Sequence, residues 1–311
     1  MRGIVVKSTG SCYLVHTDDG VKRECVIKGN FRIKGIKSTN PVAVGDVVEI
    51  VETKPDMPAY IVNIEERRNY IIRRSSNLSK LSHILASNID QAVLMVTIRL
   101  PETSAVFIDR FLASARAYRI PTIILFNKVD LYTEADRECM DNWISLYTSI
   151  GYRCMTCDSL HGDGVEPIEE LLRGKTSLIS GNSGVGKSTL INRLVPNLSQ
   201  KTANISEKHN TGMHTTTFSE MFKLPYGGWI IDTPGVKGFG LYDMTPREIG
   251  DYFPEIFEYA RGCKYGDCTH TTEPGCAVKE AVELGSISLS RYNSYISMLS
   301  DEEYSRYRTK R

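Results

Sequence analysis

Two stretches of this chain carry residue types at spacings that could hold a nucleotide. Gly181, Asn182, Ser183, Gly184, Val185, Gly186, Lys187 and Ser188 fit G-x-x-x-x-G-K-[ST], with Thr189 next. Glycines let the backbone wrap a polyphosphate with its N–H groups, and a helix beginning at Lys187 would add partial positive charge. Lys187 would reach the β- and γ-phosphates and Ser188 would ligate Mg²⁺. Downstream, Asp232 ends the apolar run Trp-Ile-Ile and is followed by Thr233, Pro234 and Gly235. An acid there can hold Mg²⁺ through water, and the Gly235 N–H can touch a γ-phosphate. Between them, Thr-Gly-Met-His-Thr-Thr-Thr-Phe at 211 to 218 reads as a switch loop in which Thr215, Thr216 or Thr217 supplies a further Mg²⁺ ligand.

The second stretch is Asn127, Lys128, Val129 and Asp130, directly after the apolar run Pro-Thr-Ile-Ile-Leu-Phe. Guanine presents its N1–H and N2 amine as adjacent donors, so a fixed carboxylate can accept both, and adenine has no such pair. Asp130 suits that role; Asn127 can brace the loop, and the stem of Lys128 can lie along the base. A further loop at 157 to 165, Cys-Asp-Ser-Leu-His-Gly-Asp-Gly-Val, follows at the place where the Ser159 backbone would touch the guanine carbonyl. The base reader thus precedes the phosphate cradle, the reverse of the ordinary order in GTP-binding domains. Joining the old termini and opening the chain elsewhere preserves the same sheet, because domain termini commonly lie close together.

These motifs need strands and helices to aim them. In residues 1–70 five short β-rich runs are separated by turn signals such as Asp19-Gly20 and Gly45-Asp46, which predicts a small OB-like β-barrel. In residues 71–242 buried apolar runs alternate with amphipathic helical stretches such as 106 to 119, which predicts a mostly parallel α/β sheet with its ligand at the carboxyl ends of the strands. Residues 243–311 have no comparable strand pattern and two helical stretches, at 277 to 285 and 288 to 308. The fold class expected is therefore multidomain: barrel, central P-loop α/β domain, and a C-terminal α-helical metal-binding unit.

Cys263, Cys268, His270 and Cys276 give C-x₄-C-x-H-x₅-C, with glycines at 262, 266 and 275 to turn the loop back. Three thiolates and an imidazole make a closed tetrahedral Zn²⁺ site, structural rather than catalytic; reduced, uncoordinated thiols are the alternative. Eight cysteines in 311 residues without an export signal point to a reducing compartment, the cytoplasm. The formal charge of +1 provides no overall attraction to nucleic acid or membranes, and no apolar run is long enough to span a bilayer. One local patch stands out: Lys22, Arg23, Lys28, Arg32, Lys34 and Lys37 against the single acid Glu24, with Phe31 among them. It reads equally as an RNA-binding stripe on the barrel or as a solvated charged face.

Val236 follows Gly235 where Ras-like proteins carry the glutamine that orients water, and valine cannot bond that water. Intrinsic hydrolysis should be slow, and the nearest polar candidate to position the water is His214.

The permuted motifs, flanked by a β-barrel and a Cys/His cluster, resemble over essentially the whole chain the ribosome-small-subunit-dependent GTPase A (RsgA) family of bacteria. The resemblance implies a GTPase that binds the 30S subunit and its 16S rRNA and acts in late maturation of that particle, which stimulates hydrolysis. It implies GTP and GDP as ligands, Mg²⁺ with GTP, one structural Zn²⁺ and a catalytic His214. A cytoplasmic monomer with no membrane partner is expected. A nucleotide-switched rRNA-binding protein with negligible turnover is the alternative. One departure is Asp-Ser-Leu at 158 to 160, where such loops more often read Ser-Ala-x.

Overall fold

The computed structural model describes residues 1–27, 41–54, 57–74, 82–196, 198, 219–232 and 244–308. Alternating burial along the first strands closes a barrel: β1 (Arg2–Ser8), β2 (Tyr13–Thr17), β3 (Lys22–Ile27), β4 (Val47–Val51) and β5 (Ala59–Ile64). β1 pairs with both β2 and β4, β3 runs parallel to β5, and β5 returns antiparallel to β4. Closure leaves Val5, Tyr13, Val15, Val48, Ile50 and Ile61 in a shared apolar interior.

The predicted turn at Gly45-Asp46 does more than reverse the chain. Asp46 is fully buried; it accepts two hydrogen bonds from the Arg67 guanidinium at 2.6 Å each, one from Ser87 Oγ at 2.6 Å and one from the Ala43 N–H at 2.8 Å. Gly45, at φ +91°, passes so close to Ser87 that a Cβ would lie 2.2 Å from its carbonyl oxygen. Ser87 ends a hairpin, β6 (Tyr70–Arg74) with β7 (Ser82–Ser87), that the apolar pattern did not reveal. The hairpin fastens the barrel to the first strand of the α/β unit.

That unit contains β8 (Gln91–Val96), α1 (Ala105–Ala117), β9 (Thr122–Phe126), α2 (Glu134–Ser149), β10 (Arg153–Thr156), α3 (Glu166–Leu172), β11 (Thr176–Gly181), α4 (Lys187–Leu194), β12 (Glu220–Lys223) and β13 (Trp229–Asp232). β8 is buried at every position, as a strand covered on both faces must be. The strand order is β10-β9-β8-β11-β13-β12, parallel throughout except that β12 runs antiparallel to β13. Local signals start the helices. Ser104 caps α1, and a capping box of Thr133 with Asp136 opens α2. The sheet meets the barrel where Lys7 of β1 pairs with Glu220 of β12, and an ion pair at 3.3 Å joins the same two side chains.

Beyond the sheet lie α5 (Pro246–Asp251), α6 (Pro254–Ala260), α7 (Ala277–Glu283) and α8 (Leu289–Arg308). Their core of Ile249, Phe253, Ile256, Val278, Tyr295 and Met298 takes in Ala113 of α1, so this unit completes its interior on the α/β unit. Arg291 of α8 is buried across that contact. It bonds Asp109 of α1 at 2.7 Å and Glu255 of α6 at 2.7 and 3.2 Å, with Phe253 4.5 Å below the guanidinium. Tyr147 of α2 also donates to Asp109, at 2.8 Å. Burial pushes the Asp109 carboxyl above its usual range while the facing Arg291 opposes that rise. Removing only the arginine would leave two carboxylates buried without a counter-charge. Arg291→Ala should therefore lower stability by about 3–5 kcal/mol in equilibrium denaturant unfolding.

Candidate nucleotide-binding site and metal centre

The loops after β9, β10 and β11, and the end of β13, all open at the carboxyl edge of the parallel sheet, where α/β folds bind ligands. Asn127 is completely buried there. Its Nδ2 donates to Ser159 Oγ at 3.0 Å and to the Val185 carbonyl at 2.7 Å; its Oδ1 accepts from the Ser159 N–H at 3.0 Å and the Cys157 thiol at 3.1 Å. Two donors and two acceptors are the full capacity of a carboxamide. One side chain thereby holds the base-reader turn, the 157–165 loop and the phosphate loop in fixed register. Its backbone is held as well: the N–H reaches Val96 O at 2.9 Å, and Tyr132 Oη donates to its carbonyl at 2.9 Å.

Lys128 adopts a left-handed conformation, φ +62°, and its amine lies on the Leu100 carbonyl at 2.6 Å, while Asp130 is exposed in the short turn Val129–Leu131. An exposed carboxylate on a braced turn is what a guanine edge requires. Ser159 sits in a loop that Asp158 organises, accepting the N–H of Leu160 at 2.8 Å and of His161 at 3.1 Å; contrary to the expectation of a backbone contact to guanine, the Ser159 N–H is already taken by Asn127 Oδ1. Arg193 of α4 reaches across to the carbonyls of Ser159, at 3.1 Å, and Leu160, at 2.5 Å. An Asx turn is foreshadowed by the Asp-x-x-x-Gly spacing at 158 to 162. The Arg193 contact, a tertiary one, has no sequence signal.

The phosphate loop runs from β11 into α4. Gly181 (φ +149°) lies where a Cβ would come 2.4 Å from the Met95 carbonyl, and Gly186 (φ +102°) where one would come 2.2 Å from Asn127 Nδ2. Asn182, Ser183, Gly184 and Val185 form the turn between them; Ser183, Gly184, Ser188 and Thr189 are exposed and Val185 is buried. Lys187 bends over its own loop, its amine on the carbonyls of Gly181 at 2.8 Å and Asn182 at 2.7 Å. Burial pushes the Lys187 pKa down and the Asp232 pKa up, each acting to temper the other's shift. Hydroxyl and carboxylate oxygens from Ser188 and Asp232 are hard donors of the kind Mg²⁺ takes.

Gly235, Val236, His214, the switch threonines and most of the basic stripe lie outside the described residues. Within the stripe, Arg23 is not a free cation. It pairs with Asp19 at 2.8 Å and with Glu52 at 2.5 Å.

Cys263, Cys268, His270 and Cys276 come together with their ligand atoms all within 4.8 Å of one another. His270 Nδ1 stands 3.5 Å from Cys263 Sγ and 3.4 Å from Cys276 Sγ, and those sulfurs are 3.9 Å apart. Tetrahedral zinc at ordinary bond lengths requires S···N of about 3.5 Å and S···S of about 3.8 Å. The residues fit a closed zinc site. Its frame is built by Tyr292 and Tyr295 of α8, which donate to the carbonyls of His270 at 2.6 Å and Thr269 at 2.7 Å, and by the Lys279 N–H on Cys276 Sγ at 3.5 Å. Burial lowers the His270 pKa, favouring the neutral ligand form, and no disulfide joins any of the eight cysteines.

A P-loop and an Asn-Lys-x-Asp turn at one sheet edge, with the turn first in the chain, define a circularly permuted P-loop GTPase. More narrowly, the chain belongs to the RsgA GTPase family. The family model described as RsgA GTPase matches residues 64–242, and that of the RsgA N-terminal domain matches residues 2–61. The chain is 63% identical over 308 residues to a Bacteroides fragilis protein and 56% identical over 312 residues to one from Porphyromonas gingivalis, covering 99% of each. Both are called small ribosomal subunit biogenesis GTPase RsgA. Among solved structures it is similar to YjeQ from Thermotoga maritima, with TM-score 0.75, 34% identity and coverage of 96% of this chain and 97% of that one. It is similar too to YloQ, described as a circularly permuted GTPase, with TM-score 0.72, 30% identity and coverage of 96% and 94%.

Asn127→Ala would leave the Val185 carbonyl and the Ser159 N–H buried without their partner. GDP affinity, measured by calorimetric titration, should fall on the order of 100-fold with the folded circular dichroism retained.

Proposed function

We propose that this GTPase acts in maturation of the small ribosomal subunit, binding the 30S particle and its 16S rRNA and hydrolysing GTP under stimulation by it. The observation that carries the nucleotide reading is the buried Asn127 carboxamide, which locks a guanine-reading turn to a phosphate loop. The ribosomal reading is supported by the names of the relatives. Asp130 accepts the guanine N1–H and N2 amine, Asn127 braces it, Lys128 flanks the base, and Ser159, its own N–H held by Asn127 Oδ1, lies in the loop that meets the base carbonyl. Gly181 to Gly186 supply N–H groups to the phosphates. The Lys187 amine exchanges its two loop carbonyls for phosphate oxygens, Thr189 stands beside the α4 N-terminus, and Gly235 contacts the γ-phosphate. Ser188 and, through water, Asp232 would hold Mg²⁺, which would supply positive charge against the β- and γ-phosphates.

Hydrolysis requires an oriented water. With Val236 unable to hold one, His214 takes that part when the chain is bound to the 30S particle. In this reading residues 1–70 form an RNA-binding barrel, 71–242 the GTPase domain and 243–311 a zinc-stapled helical domain of a cytoplasmic monomer. None of the described helices is long and apolar enough to cross a bilayer. Val236 also favours a second reading, a nucleotide-switched rRNA-binding protein with negligible turnover.

GTP turnover measured alone, with purified 30S subunits and with 50S subunits as control separates the two. Stimulation by 30S only is expected, and His214→Ala should lose about 100-fold or more of the stimulated rate while binding GDP normally. Negligible turnover in all three conditions would establish the second reading. Metal analysis should find one zinc per chain, and Cys268→Ser should lose it together with helical circular dichroism from the C-terminal unit.

A further inference from the structure

The loop between β8 and α1, residues 97–104, holds none of the residues assigned to the nucleotide, yet it is fastened to both halves of that site. Thr97 and Thr103 close it on itself. The Thr97 N–H donates to Thr103 Oγ1 at 3.1 Å, the Thr103 N–H to the Thr97 carbonyl at 3.0 Å, and Thr97 Oγ1 to the Pro101 carbonyl at 2.5 Å. Toward the base reader, Tyr132 Oη accepts the Ile98 N–H at 2.9 Å while donating to the Asn127 carbonyl, and the Lys128 amine donates to the Leu100 carbonyl at 2.6 Å. Toward the phosphate loop, the Pro101 ring stands where a Cβ on Gly184 would meet it at 3.6 Å. Leu100 is therefore the residue at which this loop passes from the base reader to the phosphate loop.

Two properties set Leu100 apart. Its φ of +57° is a left-handed conformation that side chains other than asparagine and aspartate seldom adopt. Its side chain is 58% exposed, while Thr97 and Thr103 of the same loop are wholly buried. An apolar side chain held in water by an unfavourable backbone gains free energy from anything apolar that covers it. A guanosine nucleotide with its base at Asp130 and Lys128 and its phosphates on residues 181–186 must carry its ribose across the gap that Leu100 borders. The C–H face of that sugar is the apolar surface available there.

The geometry points to Leu100 as a ribose-contacting residue of the nucleotide site, its side chain covering the C–H face of the sugar between the base reader and the phosphate loop. This rests on the assignment of Asp130 to the guanine and of Gly181 to Gly186 to the phosphates. The bond from Lys128 to the Leu100 carbonyl and the packing of Pro101 beside Gly184 fix the wall relative to both ends of the ligand. Water is thereby excluded from one face of the ribose.

The test is calorimetric titration of the full-length chain with unlabelled GDP at constant Mg²⁺, because a fluorophore on the sugar would occupy the contact. Leu100→Asn keeps a side chain suited to the left-handed backbone but makes it polar, Leu100→Gly removes it, and Leu100→Met keeps an apolar cover. The Asn and Gly variants should bind GDP about tenfold more weakly and the Met variant within about twofold of wild type. Stability of the Asn and Gly variants in denaturant unfolding should stay close to wild type, since both residues suit the backbone, so the loss of affinity is not a loss of fold. Wild-type affinity in Leu100→Asn, or a Met variant as weak as the Asn one, overturns the proposal. The diphosphate of an acyclic guanosine analogue, which lacks the ring face, should lose no more than about twofold on Leu100→Gly; a loss equal to that for GDP would overturn the ribose contact. Asp130→Asn separates the underlying assignment: its amide complements xanthine, so it should lose GDP and gain xanthosine diphosphate. GDP binding unchanged in that variant would overturn the assignment and the proposal together, whereas failure of the Leu100 variants alone overturns only the proposal.

Discussion

A single buried carboxamide sets the geometry of the nucleotide site. Asn127, in the turn after β9, spends every side-chain donor and acceptor it has on two further loops, those after β10 and β11. None of the three can shift without leaving a polar group unpaired in the interior, where the cost is about 1–3 kcal/mol. Gly186 is bound by the same constraint, because any side chain there would collide with Asn127 Nδ2. The distance between the Asp130 turn and the phosphate loop is thus fixed by a buried side chain rather than at the exposed surface.

Permutation leaves this arrangement intact because adjacency in the sheet, not order in the chain, brings the loops together. β11, which carries the phosphate loop, lies between β8 and β13, and the chain reaches it from the edge strand β10 through α3. Cutting the domain elsewhere also changes its neighbours. β12 abuts the barrel through the Lys7–Glu220 pair, and α1 receives the C-terminal helices through Arg291. The barrel, the sheet and the helical unit with its Cys/His cluster become parts of one continuous framework.

Much of this was legible in the residue pattern. The five barrel strands, the phosphate loop, the Asn-Lys-x-Asp turn and the Cys₃His cluster announce themselves through alternation, glycine placement and ligand spacing, each a local property. The β6–β7 hairpin did not, since its strands lack clean alternation and its stability comes from Asp46, Arg67 and Ser87, far apart in sequence. The same holds for Arg193 over the 157–165 loop and for Asp109, Tyr147, Glu255 and Arg291: charged or polar residues on helices read as solvated faces until tertiary structure buries them. Asp158, visible as a departure from an expected serine, is seen only in the fold to bond the His161 ring and the backbone of its own loop.

The strand order also bears on how the chain comes into being. β8 is made first and β9 and β10 add outward from one of its edges, after which β11 adds to the other. During synthesis, where folding proceeds from the N-terminus, Asn127 and its turn are therefore in place before Val185 exists to meet them. The turn that carries Asp130 is laid down before the phosphate loop, so the two halves of the candidate nucleotide site exist together only once β11 and α4 have been made.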